Sequence, residues 1–336
     1  MNIFRLIGCF LLHLTPKFFL ERWLTRRLSP KGYTFFPRFS GRAALFDLAS
    51  TLRRETVVPV ALFPEYVCNI VPKALTEAGW IVESYKGNEK LEAEWVYLLD
   101  RIKRGDVGLL VGATVFGSSG LLDDLIVQKN LADLKYFGVR VIVDLAQDIR
   151  LVDKLPEYGN DLISSIVSFN DKSFPGIMGG GVITNIRLNK VDKLISIKLL
   201  YILYKKFIIK TMPIFIKKIV PDNDDKEDLR FEYSFCDHFP FRLSDNYRMT
   251  KLQFACAIQG IFQLKKYEKY KRYFLNQNIH LETRFASSAA YLIVNGDDGL
   301  DKNRKRKASY AVEHDMKISV RPTDFILHNK GFDDHA

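Results

Sequence analysis

Two residues of this chain carry reactive groups at positions where an α/β sheet would present them. Asp144 follows the apolar run Val139-Arg140-Val141-Ile142-Val143. Lys172 follows Ile163-Ser164-Ser165-Ile166-Val167 and the polar stretch Ser168-Phe169-Asn170-Asp171. Short β-branched runs of this kind read as buried strands. Polar residues just past them then lie at the carboxyl ends of strands, where open α/β sheets bind ligands. A carboxylate at one strand end and an amine at the next suit one chemistry. The carboxylate holds a pyridinium N–H, and the amine forms a Schiff base with an aldehyde. The triplet Gly179-Gly180-Gly181 lets the backbone approach closely and turn back into Val182–Thr184. The bland alternative, an ordinary strand end with a solvated lysine, requires several motifs to coincide by chance.

The stretch VIVDLAQDI followed by SFNDKSFPGIMGGGVITN resembles the pyridoxal-phosphate core of the DegT-type sugar aminotransferases, which are of PLP fold type I. The resemblance implies that Asp144 holds the pyridine nitrogen and Gln147 lies against the ring. It also implies that Ser168 touches the phosphate and Lys172 carries the cofactor. Only Asn170 and Asp171 separate Phe169 from the lysine, where the family usually has three residues; Lys172 is the only lysine in the stretch. Ser40-Gly41-Arg42-Ala43-Ala44-Leu45 reads by itself as a turn opening a helix, and N–H groups at a helix start bind phosphate. It is similar to the family's Ser-Gly-Thr-x-Ala-Leu turn, with Arg42 in place of the threonine, so Gly41, Arg42 and Ala43 become candidates for a phosphate cradle. Tyr66 stands where the family has a ring-stacking aromatic; taken alone it is equally a core tyrosine. Asp245-Asn246-Tyr247-Arg248-Met249, continued by Leu252, Gln253, Ala255 and Gln259, is similar to a family segment whose asparagine reaches the partner subunit's cofactor phosphate. The resemblance thus implies a homodimer with Asn246 acting in trans. By itself Asn246 also suits a helix cap.

The elements that must position these residues are legible in outline. Val57–Phe63 and Asp106–Val115 read as further strands, with a helix ending near Gly79 between them. Leu121–Phe137 reads as a helix closed by Gly138. A strand–helix–strand crossover into Asp144 requires parallel strands. Ala289–Val294 and Ile318–Val320 read as late strands. The expected architecture is α/β, a mixed and mostly parallel sheet flanked by helices, with a small C-terminal α+β domain. The expected divisions are residues 1–31, an amphipathic helical segment; 32–220, the large cofactor domain; and 221–336, the small domain, beginning at the polar stretch Pro221–Asp228.

At 336 residues, 47% hydrophobic and 26% charged, the chain has an ordinary globular composition. Its four cysteines are scattered without a CxxC pair, which argues against zinc or a disulfide framework. The net charge of +11 is uneven: residues 1–31 carry +5 and residues 186–220 carry +8, leaving −2 for the rest. A near-neutral body argues against nucleic acid as a partner. The longest uncharged run near the start, Leu6–Pro16, is too short to span a bilayer. Both basic segments interleave bulky apolar residues with Lys and Arg, as helices packed on a body or lying in a membrane interface do.

The expected activity is a transaminase that moves an amino group from an amino acid, glutamate in relatives, to a keto sugar that is usually nucleotide-linked. The setting implied is surface-polysaccharide or amino-sugar biosynthesis, in the cytoplasm or peripherally on the inner membrane surface. A dehydratase of the same scaffold would carry histidine in place of Lys172. A cofactor-free descendant acting as a binding or scaffold protein is the alternative from another class. A nicotinamide enzyme is disfavoured because no G-x-G-x-x-G follows a strand.

Overall fold

The computed structural model describes residues 14–65, 67–87, 93–114, 128–158, 162–169, 177–189 and 247–262. It also describes most of 191–204, isolated residues before 14, residue 264, and the strands at 292–295 and 316–319. Seven strands make one sheet: β1 (Thr34–Arg38), β2 (Val60–Pro64), β3 (Ile81–Tyr85), β4 (Leu109–Ala113), β5 (Arg140–Asp144), β6 (Ile163–Ser168) and β7 (Gly180–Thr184). Their spatial order is β1-β7-β6-β5-β4-β2-β3. β7 pairs antiparallel with both β1 and β6, and the remaining pairs are parallel, so β7 alone runs against the others. The crossover into β5 is parallel, as the sequence requires, with Ala113 opposite Asp144.

Alternate residues of each central strand face opposite cores. Leu110, Val141, Val143, Ile163 and Val167 join one cluster. Leu109, Val111, Ile142, Ile166 and Val182 join the other. Both faces are therefore buried, which is why these strands read as continuous apolar runs rather than alternating ones. Helices α2 (Gly41–Glu55) and α3 (Ile70–Glu77) cover the second face through Leu45, Leu48, Leu52, Val71 and Leu75. The first face is covered by α1 (Lys17–Arg27), α4 (Trp95–Lys103), α5 (Gln128–Tyr136) and α6 (residues 251–262). The result is a helix–sheet–helix sandwich.

Several boundaries move. β2 begins at Val60 rather than Val57, because Val57 is 94% exposed and Pro59 has no N–H for the ladder. The helix expected from Leu121 is described from Gln128, and Gly138 closes it at φ +68° as expected. Of residues 221–336, expected to form a small domain, the described parts are 247–262 and 264, which include α6 on the first face of the main sheet, and an antiparallel pair, β8 (Leu292–Asn295) with β9 (Met316–Ser319). The division expected at 221 lies outside the described residues.

Each of the two basic segments buries one set of apolar residues and leaves another exposed. In the second, Leu199 and Leu203 pack inward against Phe39, Ile177, Met178, Leu252 and Cys256, so these leucines belong to the protein core. In the first, Leu20, Leu24 and Leu28 enter the main core while other apolar residues remain outside. Among the described residues, no helix is long and apolar enough to cross a membrane.

Candidate active site

The reversed strand β7 determines where the site lies. Its first residue, Gly180, pairs with Arg38 at the end of β1 and with Ser168 at the end of β6. Ser40 bridges Gly179 one step further on. The carboxyl ends of β1, β5 and β6 and the start of α2 are thereby gathered at one edge of the sheet.

The start of α2 presses directly on that edge. A Cβ added to Gly41 would lie 2.7 Å from Ser168 Cβ and 2.9 Å from Ser168 Oγ, and one added to Gly180 would lie 2.8 Å from Gly41 N. Glycine at 41 and 180 is thus required by close approach. Gly179 answers a different need, with φ at +109°. Ser40 caps the helix: its Oγ accepts from Ala43 N at 3.2 Å, and its carbonyl accepts from Ala44 N at 3.1 Å. The Ala43 N–H is therefore engaged by the cap. Arg42 sits half-buried in the same first turn. Two sequence-predicted phosphate contacts, Gly41 and Ser168, thus meet although 127 positions separate them in the chain. The helix start adds the positive end of the α2 dipole.

Asp144 ends β5, next to β6 in the sheet. Its carbonyl accepts from both the N–H and the Oγ1 of buried Thr114, each at 3.0 Å, and Leu145 N donates to Ile166 O at 2.9 Å. These bonds fix the strand end. The Asp144 carboxylate accepts from Ala146 N at 2.8 Å and has no cationic partner among the described residues. Burial pushes its pKa up to about 6, and the Ala146 N–H offsets this only in part. A carboxylate held in this way suits a cationic N–H donor, which would favour its charged form. Gln147 lies half-buried in the bend that follows. No group of His, Cys, Asp and Glu suited to a metal occurs among the described residues.

Lys172, Tyr66 and Asn246 fall outside the described residues. The segment next to Asn246 is described, and it docks on the site. Tyr247 O accepts from Phe39 N at 3.1 Å, and its ring meets the Phe39 ring edge-on at 6.1 Å. A Cβ on Gly179 would lie 3.3 Å from Met249 Cε. Gln253, fully buried, donates to Phe39 O at 2.9 Å. The α6 cap falls on Thr250 rather than Asn246. Thr250 Oγ1 accepts from Gln253 N at 3.2 Å and Gln253 Oε1 accepts from Thr250 N at 2.9 Å, a reciprocal capping box. The signal for it, Thr-x-x-Gln ahead of an apolar run, stands in the sequence at Thr250-Lys251-Leu252-Gln253. Thr114, which anchors Asp144, had no comparable signal.

The sheet and the position of its reversed strand are those of PLP fold type I, and the structural neighbours include sugar aminotransferases, one of them of the DegT/DnrJ/EryC1/StrS type. The chain is similar to a DegT/DnrJ/EryC1/StrS aminotransferase from Brucella abortus, with 15% identity over 85% of this chain and 72% of that one and a TM-score of 0.52. It is similar to PseC of Helicobacter pylori, an aminotransferase involved in the biosynthesis of pseudoaminic acid (14% identity, 96% and 80% covered, TM-score 0.54). A sugar aminotransferase of Micromonospora echinospora, CalS13, is a further neighbour at 11% identity, 85% and 74% covered, and TM-score 0.54. No family profile and no curated protein matches the sequence. At these identities the likeness is one of fold.

Proposed function

We propose that this chain binds pyridoxal phosphate and transfers an amino group from an amino acid, with glutamate the favoured donor, to a keto sugar carried on a nucleotide. The observation that carries this reading is the convergence of Gly41, Ser168 and Asp144 on one sheet edge. A cradle narrow enough to require glycine sits at a helix start, on the same sheet edge as a desolvated carboxylate that has no cationic partner among the described residues. An anionic phosphate suits the first and a pyridinium N–H suits the second.

In this reading Gly41, Arg42 and Ser168 hold the phosphate end, with the Ser40 cap and Ala43 fixing the turn that shapes it. Asp144 accepts the ring N–H, Gln147 and Tyr66 lie against the ring, and Lys172 is the covalent anchor. When bound, the cofactor supplies an electron sink for the carbanion formed at the amino donor's Cα. Lys172 Nζ would remove the Cα proton as general base and return one as general acid. Asp144 keeps the proton on the ring nitrogen. Asn246 acts across a homodimer interface on the partner's phosphate. Products of this kind belong to surface-polysaccharide or amino-sugar biosynthesis.

The test is a half-reaction. Purified protein given pyridoxal phosphate should acquire a visible absorption band. Glutamate should then bleach it while one equivalent of 2-oxoglutarate forms per site, and a nucleotide-linked keto sugar should restore it. Protein that takes up no cofactor is instead a binding protein on the same fold. Protein that binds cofactor but leaves the band unchanged with every amino donor is not a transaminase.

A further inference from the structure

We propose that the outward face of α1 docks on an anionic lipid surface. The inward face of this helix is complete: Leu20, Leu24 and Leu28, four residues apart, enter the main core. Helical geometry turns Phe18, Phe19, Arg22, Trp23 and Arg26 to the opposite side, and all five are exposed. Phe18 and Phe19 are 57% and 52% exposed, their rings 3.9 Å apart. Phe262 at the end of α6, 64% exposed, extends the patch with its ring 5.4 Å from Trp23. Core packing accounts for the leucines and leaves this second apolar set without a role.

Charge identifies the occupant. Arg22 and Arg26 lie among the aromatics and have no hydrogen-bond or ion-pair partner among the described residues. The single acidic residue of 1–31, Glu21, faces away and lies 3.6 Å from Arg248. The face therefore presents aromatic rings and guanidinium groups, with no carboxylate among the described residues on it. A symmetric contact with a second copy would bring these arginines toward one another with no acid on the face to pair them. An anionic bilayer instead receives aromatic rings at headgroup level and attracts each cation. This inference is independent of the proposed chemistry.

The test is sedimentation of the full-length protein with vesicles of phosphatidylcholine alone or with 30% phosphatidylglycerol, at low and high salt, with turnover playing no part in the readout. The protein should pellet with the anionic vesicles only, less so at high salt, and Trp23 fluorescence should shift to the blue. Arg22→Gln/Arg26→Gln should weaken binding on the order of thirtyfold, about 1 kcal/mol for each cation. Phe18→Ser/Phe19→Ser should weaken it independently. Equal recovery in the supernatant with both lipids overturns the proposal, as does undiminished binding by the arginine pair variant. A fall in oligomeric mass in the phenylalanine variant also overturns it and assigns the face to a second copy.

Discussion

Helices α1 and α2 both carry leucines on one side and arginines elsewhere, yet they meet the body in different ways. On α2, Arg53 donates to Gly79 O at 3.0 Å and Thr56 O at 2.9 Å, and Arg54 donates to Thr51 Oγ1 at 3.2 Å. Its first turn is enclosed by Ser168 and Gly180. On α1, Arg27 alone of the three arginines has a partner among the described residues, Asp153 at 3.1 Å. Its outer face carries exposed rings. One pattern of leucine and arginine thus serves two ends: α2 is built into the candidate site, and α1 is fixed by one edge with the other left outward. What separates them is the partners that arrive from distant parts of the chain.

The largest effect that sharpens this contrast comes from the proposed homodimer. Lys172→Ala and Asn246→Ala subunits should each be inactive alone. Mixed one to one after dissociation and reassociation, they should recover roughly a quarter of parent turnover, because half of the dimers then hold one intact site. No recovery would place Asn246 in its own subunit's site. Next comes Gly41→Val, which forces a side chain against Ser168. Cofactor affinity, measured by titrating the apoprotein, should fall at least about tenfold, or 1.4 kcal/mol, while far-ultraviolet circular dichroism is unchanged. An unaltered affinity would remove Gly41 from the cradle.

Asp144→Asn tests the desolvated carboxylate. Its folded pKa of about 6 lies above the usual carboxylate value of 3.8. The folded apoprotein therefore binds this proton more tightly than the unfolded chain does. The resulting stability is present below about pH 4 and lost as pH rises through 6. The asparagine variant avoids that loss. As apoprotein at pH 7.5 it should be more stable than the parent by up to about 3 kcal/mol in urea denaturation. The difference should vanish near pH 4. A variant less stable than the parent at neutral pH would show that the carboxylate is well solvated or paired. The smallest effect compares the helices directly. Arg53→Ala should cost about 1 kcal/mol in the same denaturation experiment, and Arg22→Ala should stay within about 0.5 kcal/mol. Equal losses would mean that Arg22 has a structural partner.

Much of this was readable in the sequence where local chemistry decides the outcome. The runs ending at Asp144 and Ser168 are β-branched and lie between turn residues, so their strands and polar ends were evident. The Ser40-Gly41 turn announced the start of α2. Three things were not readable because tertiary contact decides them. Amphipathic spacing did not say that Leu199 and Leu203 face the core, since a core and a membrane both accept leucine. The start of β2 turned on Pro59 and on the exposure of Val57. The anchoring of Asp144 by Thr114 joins two strands 30 positions apart, with no local pattern to mark it. The cap of α6 is legible in the sequence at Thr250 and Gln253.

In the proposed function, the Asp144 strand end and the α2 cradle serve a cofactor carried by Lys172. The most direct measurement is borohydride reduction of the pyridoxal-phosphate-loaded protein, followed by proteolysis and mass mapping. One phosphopyridoxyl group per chain is expected, on Lys172, and none in the Lys172→Ala variant. Label on another lysine, or no label at all, would contradict it.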